Sequence, residues 1–115
     1  MTGVQTCALP ISPVKEYDIF GLLHYNDGSP VEARKFQNLQ RRLIDHFEGL
    51  TFFPQANQGF WKMGNVTYRD EIVIYRALAS RVRRARKFLA QLKERLKKQF
   101  DQEEILIIER DIRTL

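Results

Sequence analysis

Three groups of side chains in this 115-residue sequence have types and spacing that could perform chemistry, and the first surrounds a histidine. His24 ends a predicted strand, and Glu71 lies in a polar run of another predicted strand, just before its apolar centre. A histidine near a carboxylate can act as an acid or base at neutral pH. We favour the alternative, in which these polar residues only keep the strand ends soluble. The group comprises His24, Asp27, Tyr68, Arg69, Asp70 and Glu71.

The second group is basic. Residues 81–98 hold nine lysines and arginines against one acid, Glu94, whereas the rest of the chain has ten bases and thirteen acids. A helix with this composition could contact nucleic-acid phosphates, and Arg83, Arg84 and Lys87 are the anion-binding candidates. No aromatic residue lies on the outer, basic arc of this predicted helix, since Phe88 belongs to its apolar stripe, and Glu94 interrupts the arc. We therefore favour a hydrated outer helix face, and nucleic acid is the less favoured partner.

The third group is aromatic, comprising Gly59-Phe60-Trp61 with Tyr68. Exposed aromatic rings on a sheet can stack on bases, as in RNA-recognition modules. Those modules carry their aromatic motif on the first and third strands, whereas the Gly-Phe-Trp sequence here belongs to the predicted second strand. We therefore favour aromatic residues that lie in the core or in a dimer interface.

Several kinds of site have no pattern in the sequence. The two histidines are not at metal-ligand spacing, and the single cysteine, Cys7, excludes an intrachain disulfide and a zinc site with several thiolates. There is no phosphate-binding loop and no Gly-x-Ser-x-Gly turn. We predict no metal and no cofactor. No apolar run approaches the length of a membrane span, so we predict no membrane partner.

The first residues, MTGVQTCALPIS, differ from the rest of the chain. They resemble translated sequencing-adapter read-through, which is typical of gene predictions from metagenomic DNA. We predict that residues 1–16 are non-native or disordered and that residues 17–115 form one domain. The native start would then be missing and the compartment unknown, although the sequence as it stands favours a soluble, cytoplasmic protein.

Hydrophobic periodicity predicts six elements after this segment. Ser29, Pro30 and Glu32 predict the start of the first helix through a capping box, and Gly49 predicts its left-handed end. Pro54 predicts an edge or a bulge, followed by a loop, and Ser80 is the predicted cap of the second helix. The predicted ranges are strands at 17–24, 50–63, 66–76 and 104–110 and helices at 30–48 and 80–100. The order βαββαβ predicts a ferredoxin-like α+β fold, a four-stranded antiparallel sheet with two helices on one face.

The third and fourth predicted strands are apolar on both faces, although the helices cover only one. The other face would expose an apolar patch that needs a partner. We therefore predict a non-enzymatic protein that forms a homodimer, or binds another partner, through this face. A ligand pocket or enzyme site on the face is one alternative, and nucleic-acid binding by the second helix is another. The candidate ligand or interface residues are Phe20, His24, Trp61, Tyr68, Glu71 and Tyr75.

Five short motifs are spread along the chain: Asp27-Gly28, Leu50-Thr51, Gly59 with Trp61, Glu71 to Ile74, and Lys97 to Phe100. With these motifs, residues 17–110 resemble a small bacterial family of ferredoxin-like proteins of unknown function. The resemblance implies the same fold. It implies no catalytic residues, because none is established for that family.

Overall fold

The computed structural model describes residues 12–115, which form six elements. These are β1 (Lys15–Leu22), α1 (Ala33–His46), β2 (Gly49–Met63), β3 (Val66–Ala79), α2 (Val82–Gln99) and β4 (Ile107–Asp111). The strands form one antiparallel sheet in the order β2-β3-β1-β4. This arrangement confirms the predicted ferredoxin-like α+β fold.

The core lies between the sheet and the two helices. Alternate residues of β1 and β3 point into it, and Ile19 of β1 lies directly opposite Tyr75 of β3. Leucines of both helices meet these strands, including Leu43 of α1 and Leu92 of α2. Because side chains alternate along a strand, the remaining residues of β1 and β3 point to the other side, which we call the open face.

The start and end of α1 differ from the prediction. The Asp27 carboxylate accepts hydrogen bonds from both the backbone and the hydroxyl of Ser29, at 2.8 and 2.5 Å, so Ser29 stabilises the preceding turn instead of capping the helix. The helix begins at Ala33 with Glu32 at the N-cap, and no side chain caps it. The predicted capping box is therefore wrong. The predicted left-handed stop is also wrong, because Gly49 already belongs to β2.

The strand ends also differ from the prediction. β2 continues through the predicted loop, with a register shift between Phe53 and Asn57, so Pro54 lies at a bulge on an edge strand as predicted. β3 extends to Ala79, and the Ser80 hydroxyl donates to Glu48 instead of capping α2. β4 begins only at Ile107.

The N-terminal boundary is partly described. β1 begins two residues before the predicted domain start, and the Val14 backbone N–H donates to the Ala79 carbonyl at 3.0 Å. The predicted adapter-derived sequence, including Cys7, lies outside the described residues except for Ser12.

The β2–β3 hairpin extends beyond the four-stranded region. β1 pairs with β3 only from Ile72 to Ala79, whereas residues 58–63 of β2 pair with residues 66–71 of β3. The turn between them includes Gly64, whose φ of 63° favours glycine. We call residues 57–71 the arm. A two-stranded ribbon of this kind has little stability in water unless another surface packs against it.

Candidate interaction surface

The open face carries a buried carboxylate held by two arginines. Asp18, on the central strand β1, is only 2% exposed. Arg76 of β3 donates to both Asp18 oxygens, from Nε at 2.9 Å and from Nη2 at 3.1 Å. Arg110 of β4 donates from Nη1 to Oδ2 of Asp18 at 2.7 Å and lies 3.5 Å from Glu16. Two acids and two bases thus form a neutral cluster across three strands.

The cluster determines the ionisation of Asp18. Burial raises the pKa of this carboxyl, but the hydrogen bonds from Arg76 and Arg110 outweigh burial, so the net pKa lies below its ordinary value. Asp18 is therefore an acceptor at neutral pH, and both guanidiniums stay oriented towards it. The Arg76 guanidinium also lies over the Phe53 ring, 5.2 Å from its centroid.

Aromatic residues connect the open face with the arm. Phe20 of β1 contacts Trp61 of the arm edge-to-face, with ring centroids 6.3 Å apart. Gly59 permits this position of the indole, because a Cβ at residue 59 would lie 2.6 Å from Cζ2 of Trp61. Ile72, at the base of the arm, is 4% exposed. The indole is half-buried, and the arm continues the open face beyond it.

The two sides of the arm differ in polarity. Trp61 lies opposite Tyr68 and Met63 lies opposite Val66, and strand alternation places all four on the side of the open face. Met63 is 68% exposed and Val66 is 51% exposed. The other side carries one aromatic residue and five polar ones: Phe60, Gln58, Lys62, Thr67, Arg69 and Glu71. Apart from Asn57 and Asp70 near its base, the arm is therefore apolar on the side without helices.

The structure separates the predicted site residues. Phe20, Trp61 and Tyr68 share the open face and the arm, as described above. His24 and Glu71 are both exposed, and neither lines the small cavity or the groove of the helical layer described below. Tyr75 is fully buried on the helix-covered side, where it stacks with Phe52, so its assignment as an open-face residue is corrected. Its position follows from strand alternation, which places Ile74 and Arg76 on the open face instead.

The basic residues lie on the helical layer, formed by α1 and α2. The two helices carry twelve lysines and arginines and two acids, whereas the rest of the chain has seven bases and twelve acids. Arg83, Arg84 and Lys87, the predicted anion-binding residues, are exposed on α2. Arg86 differs from them, because its guanidinium pairs with both oxygens of Glu109 on β4, at 2.7 and 2.8 Å. The positive charge of the protein is thus concentrated opposite the open face.

The helical layer contains two concave sites. A small cavity of about 10 Å³ lies beside His46 and Arg84. Burial and the charge of Arg84 lower the pKa of His46, whose ring stacks on Phe88 at a centroid distance of 3.8 Å. The second site is an open groove of about 300 Å³ between α1 and α2, and Arg41, Arg42 and Arg95 line it. This convergence of arginines was not predicted.

The sequence-based prediction missed the Asp18 cluster. One signal was present, because Asp18 interrupts the otherwise apolar run Tyr17 to Leu23 of the central strand. A charged residue in such a strand is rarely buried without a partner. The identity of its partners depends on strand register, which places Arg76 of β3 opposite Asp18 and Arg110 of β4 opposite Glu16, two residues away on the same face.

Other kinds of site are not found in residues 12–115. No three metal-ligating side chains among them form a group that could hold a metal ion. No helix in the same part of the chain is long and apolar enough to cross a membrane.

Comparison with known proteins supports the fold. No protein-family model matches the sequence, and no curated protein matches it significantly. A solved structure of a phage SAM lyase in complex with S-methyl-5′-thioadenosine superposes with a TM-score of 0.64 and 13% sequence identity. The alignment covers 86% of this chain and 81% of that chain. At this identity the similarity shows a shared fold.

Proposed function

We propose that this protein acts as a self-associating binding protein and that two copies contact each other through the open face and the arm. The observation that carries the proposal is the apolar side of the arm, where Met63, Val66 and Tyr68 are each at least half exposed. Contiguous exposed apolar side chains of this kind are typical of interaction surfaces. A second copy would also supply the packing that a two-stranded arm lacks.

The charge distribution favours a second copy as the occupant. The protein has a formal net charge of +5, and two such molecules repel each other when their basic surfaces meet. The positive excess lies on the helical layer, whereas the cluster of Asp18, Glu16, Arg76 and Arg110 on the open face is neutral. Contact through the open faces would place both helical layers on the outside. The same surface then serves both copies, as in an isologous dimer.

Size-exclusion chromatography with light scattering tests the proposal. We expect the wild type at micromolar concentration to have twice its chain mass of 13.6 kDa. We expect the double variant Met63→Ser, Val66→Ser to be a monomer with an unchanged circular dichroism spectrum, since both side chains are exposed in the single chain.

Ile44→Ser is the matched control, because Ile44 on α1 is also a large exposed apolar residue, at 55%, but lies on the helical layer. We expect this variant to remain dimeric. A monomeric wild type would refute the proposal, and so would a dimer that the Ile44 change breaks and the arm changes leave intact.

A second candidate function is small-ligand binding on the open face, with or without a reaction. Two observations favour it. The phage SAM lyase of similar fold was solved in complex with S-methyl-5′-thioadenosine. The open face also combines aromatic rings, Phe20, Phe53 and Trp61, with the buried carboxylate and half-exposed guanidiniums of the Asp18 cluster. Rings and convergent polar groups are the usual components of a small-molecule site.

Calorimetric titration with S-methyl-5′-thioadenosine tests this candidate. Binding that Phe53→Ala weakens and Ile44→Ser leaves unchanged would support it. Absence of binding at millimolar concentration would exclude this compound as a ligand. An unchanged affinity in Phe53→Ala would exclude the open face as the binding site.

A further inference from the structure

The groove between α1 and α2 has an apolar floor and a basic rim. Three leucines of the core form the floor, and each is at most 3% exposed: Leu39, Leu92 and Leu96. Arg41 and Arg42 from α1 and Arg95 from α2 line the same groove, together with the amides of Asn38 and Gln99. Among residues 12–115, no carboxylate lines it. Side chains of two helices that are distant in sequence thus converge on one concavity.

The three guanidiniums of the groove have no acidic partner. Among residues 12–115, no carboxylate lies within 4.0 Å of Arg41, Arg42 or Arg95, and residues 1–11 contain no aspartate or glutamate. Other bases of the same layer do pair with acids, such as Arg86 with Glu109 and Lys93 with Glu104. The groove therefore holds positive charge that the protein itself leaves uncompensated.

Arg42 is held in the groove at a cost in free energy. It is half-buried, and its guanidinium lies 5.9 Å from the centroid of the Phe88 ring. Burial lowers the pKa of Arg42, and the nearby charge of Arg95 lowers it further. The partly desolvated charge of Arg42 and the like charge of the exposed Arg95 repel each other, and an anion between them would reduce this repulsion.

We infer that this groove binds the phosphate group of a small phosphorylated ligand. Arginine guanidiniums bind phosphate oxygens bidentately, and the two amides add neutral donors. The groove volume of about 300 Å³ lies at the lower end of the range for small-molecule sites.

The size and shape of the groove favour a small ligand over nucleic acid. A polynucleotide binds a protein surface along its phosphate backbone. The exposed side chains of Arg83, Arg84 and Lys87 on α2 would then contribute to binding. None of these three residues lines the groove. The two possibilities therefore depend on different arginines.

Two double variants with the same charge change separate these possibilities. Arg42→Gln, Arg95→Gln removes two groove guanidiniums, and Arg83→Gln, Lys87→Gln removes two charges outside the groove. Each variant is titrated calorimetrically at fixed salt with inorganic pyrophosphate and, separately, with a single-stranded DNA oligonucleotide. Arg95→Gln alone serves as a milder groove variant: Arg95 is exposed, so we expect this change to leave the fold intact and to weaken pyrophosphate binding less than the double variant does.

We expect the wild type to bind pyrophosphate, and we expect the groove variant to bind it at least about tenfold more weakly, since each charged hydrogen bond contributes more than a tenfold affinity change. The control variant should bind within about twofold of the wild type, because surface charges at a distance are screened. Three outcomes would overturn the inference: no pyrophosphate binding, equal losses in both double variants, or binding of the oligonucleotide alone.

Discussion

The helix-covered face and the open face of the same four strands differ in how their side chains are removed from water. On the covered face, apolar stripes of α1 and α2 pack against alternate strand residues, and Ile19, Leu43 and Tyr75 are fully buried. On the open face, Asp18 is buried beneath two arginines of the neighbouring strands. The comparison shows that a strand pattern apolar on both sides does not imply a uniformly apolar surface.

The largest expected difference between the faces comes from removing one apolar side chain from each. Leu43→Ala leaves a cavity beneath α1, and we expect the free energy of unfolding to fall by about 2–5 kcal/mol. Met63→Ala on the arm removes a side chain that is already exposed, and we expect a change within about 0.5 kcal/mol for the monomer. Urea unfolding at low protein concentration measures both. Equal losses would contradict the division into covered and open faces.

The second prediction concerns the polar cover of the open face. Asp18→Asn removes the charge that accepts hydrogen bonds from Arg76 and Arg110, and we expect a loss of about 2–3 kcal/mol, since hydrogen bonds to charged groups are the strong ones. Glu16→Gln is the control, because Glu16 lies 3.5 Å or more from the same arginines. We expect it to cost about 1 kcal/mol or less, since its contacts with both arginines are long and both arginines are partly exposed. An unchanged free energy of unfolding in Asp18→Asn would show that a charged acceptor between the two arginines does not stabilise the fold.

The third prediction concerns pH and the ion pair that joins α2 to the sheet. Hydrogen bonds from Arg86 and then from Tyr17 lower the pKa of Glu109 from 4.5 to about 2. Because the pKa of Glu109 is lower in the folded state, the ionised carboxylate stabilises the fold fully above its ordinary pKa of 4.5. This stabilisation is lost as the pH falls from about 4.5 towards about 2. We expect the unfolding midpoint of Glu109→Gln to depend less on pH in this range than that of the wild type.

Glu103→Gln is the control for this pH series, because Glu103 is exposed and forms no ion pair among the described residues. Its pH profile should follow that of the wild type. Identical profiles for all three proteins would contradict the assigned role of Glu109.

The smallest expected effect is at the junction between the open face and the arm. Gly59→Ala places a methyl group where the Trp61 indole lies, and we expect a loss of about 1 kcal/mol with a change in tryptophan emission. Gly64→Ala costs a similar amount for a different reason, since its φ of 63° disfavours alanine and nothing lies within 4 Å of the added Cβ. Only the first variant should alter the emission of Trp61. Unchanged emission in Gly59→Ala would contradict the contact.

The fold was predictable because its signals are local. The dense aromatic and β-branched residues of β1 and β3 and the 3.6-residue periodicity of α1 and α2 each occupy a continuous stretch of sequence. Capping was predicted less well. Ser29 was available to cap α1, but its backbone N–H and its hydroxyl both donate to Asp27, which holds Ser29 in the turn. Competition of this kind between local hydrogen bonds cannot be read from residue types alone.

The candidate surfaces were only partly predictable. Phe20 and Trp61 were selected from their residue types, and the structure brings them into contact. Tyr75 was selected for the same reason, but one step in strand alternation places it in the core. The arginines of the interhelical groove come from two segments about fifty residues apart, and no pattern within either helix indicates that they converge.

The sequence by itself determined the order of the elements, the ferredoxin-like fold and the concentration of positive charge on α2, because each depends on residues that are close along the chain. Only the tertiary structure decided which side of β3 is covered, which arginines reach Asp18 and which bases stay unpaired between the helices. These properties depend on strand register and on helix rotation about the core. Both are set by packing between distant segments, so they appear only when the chain is folded.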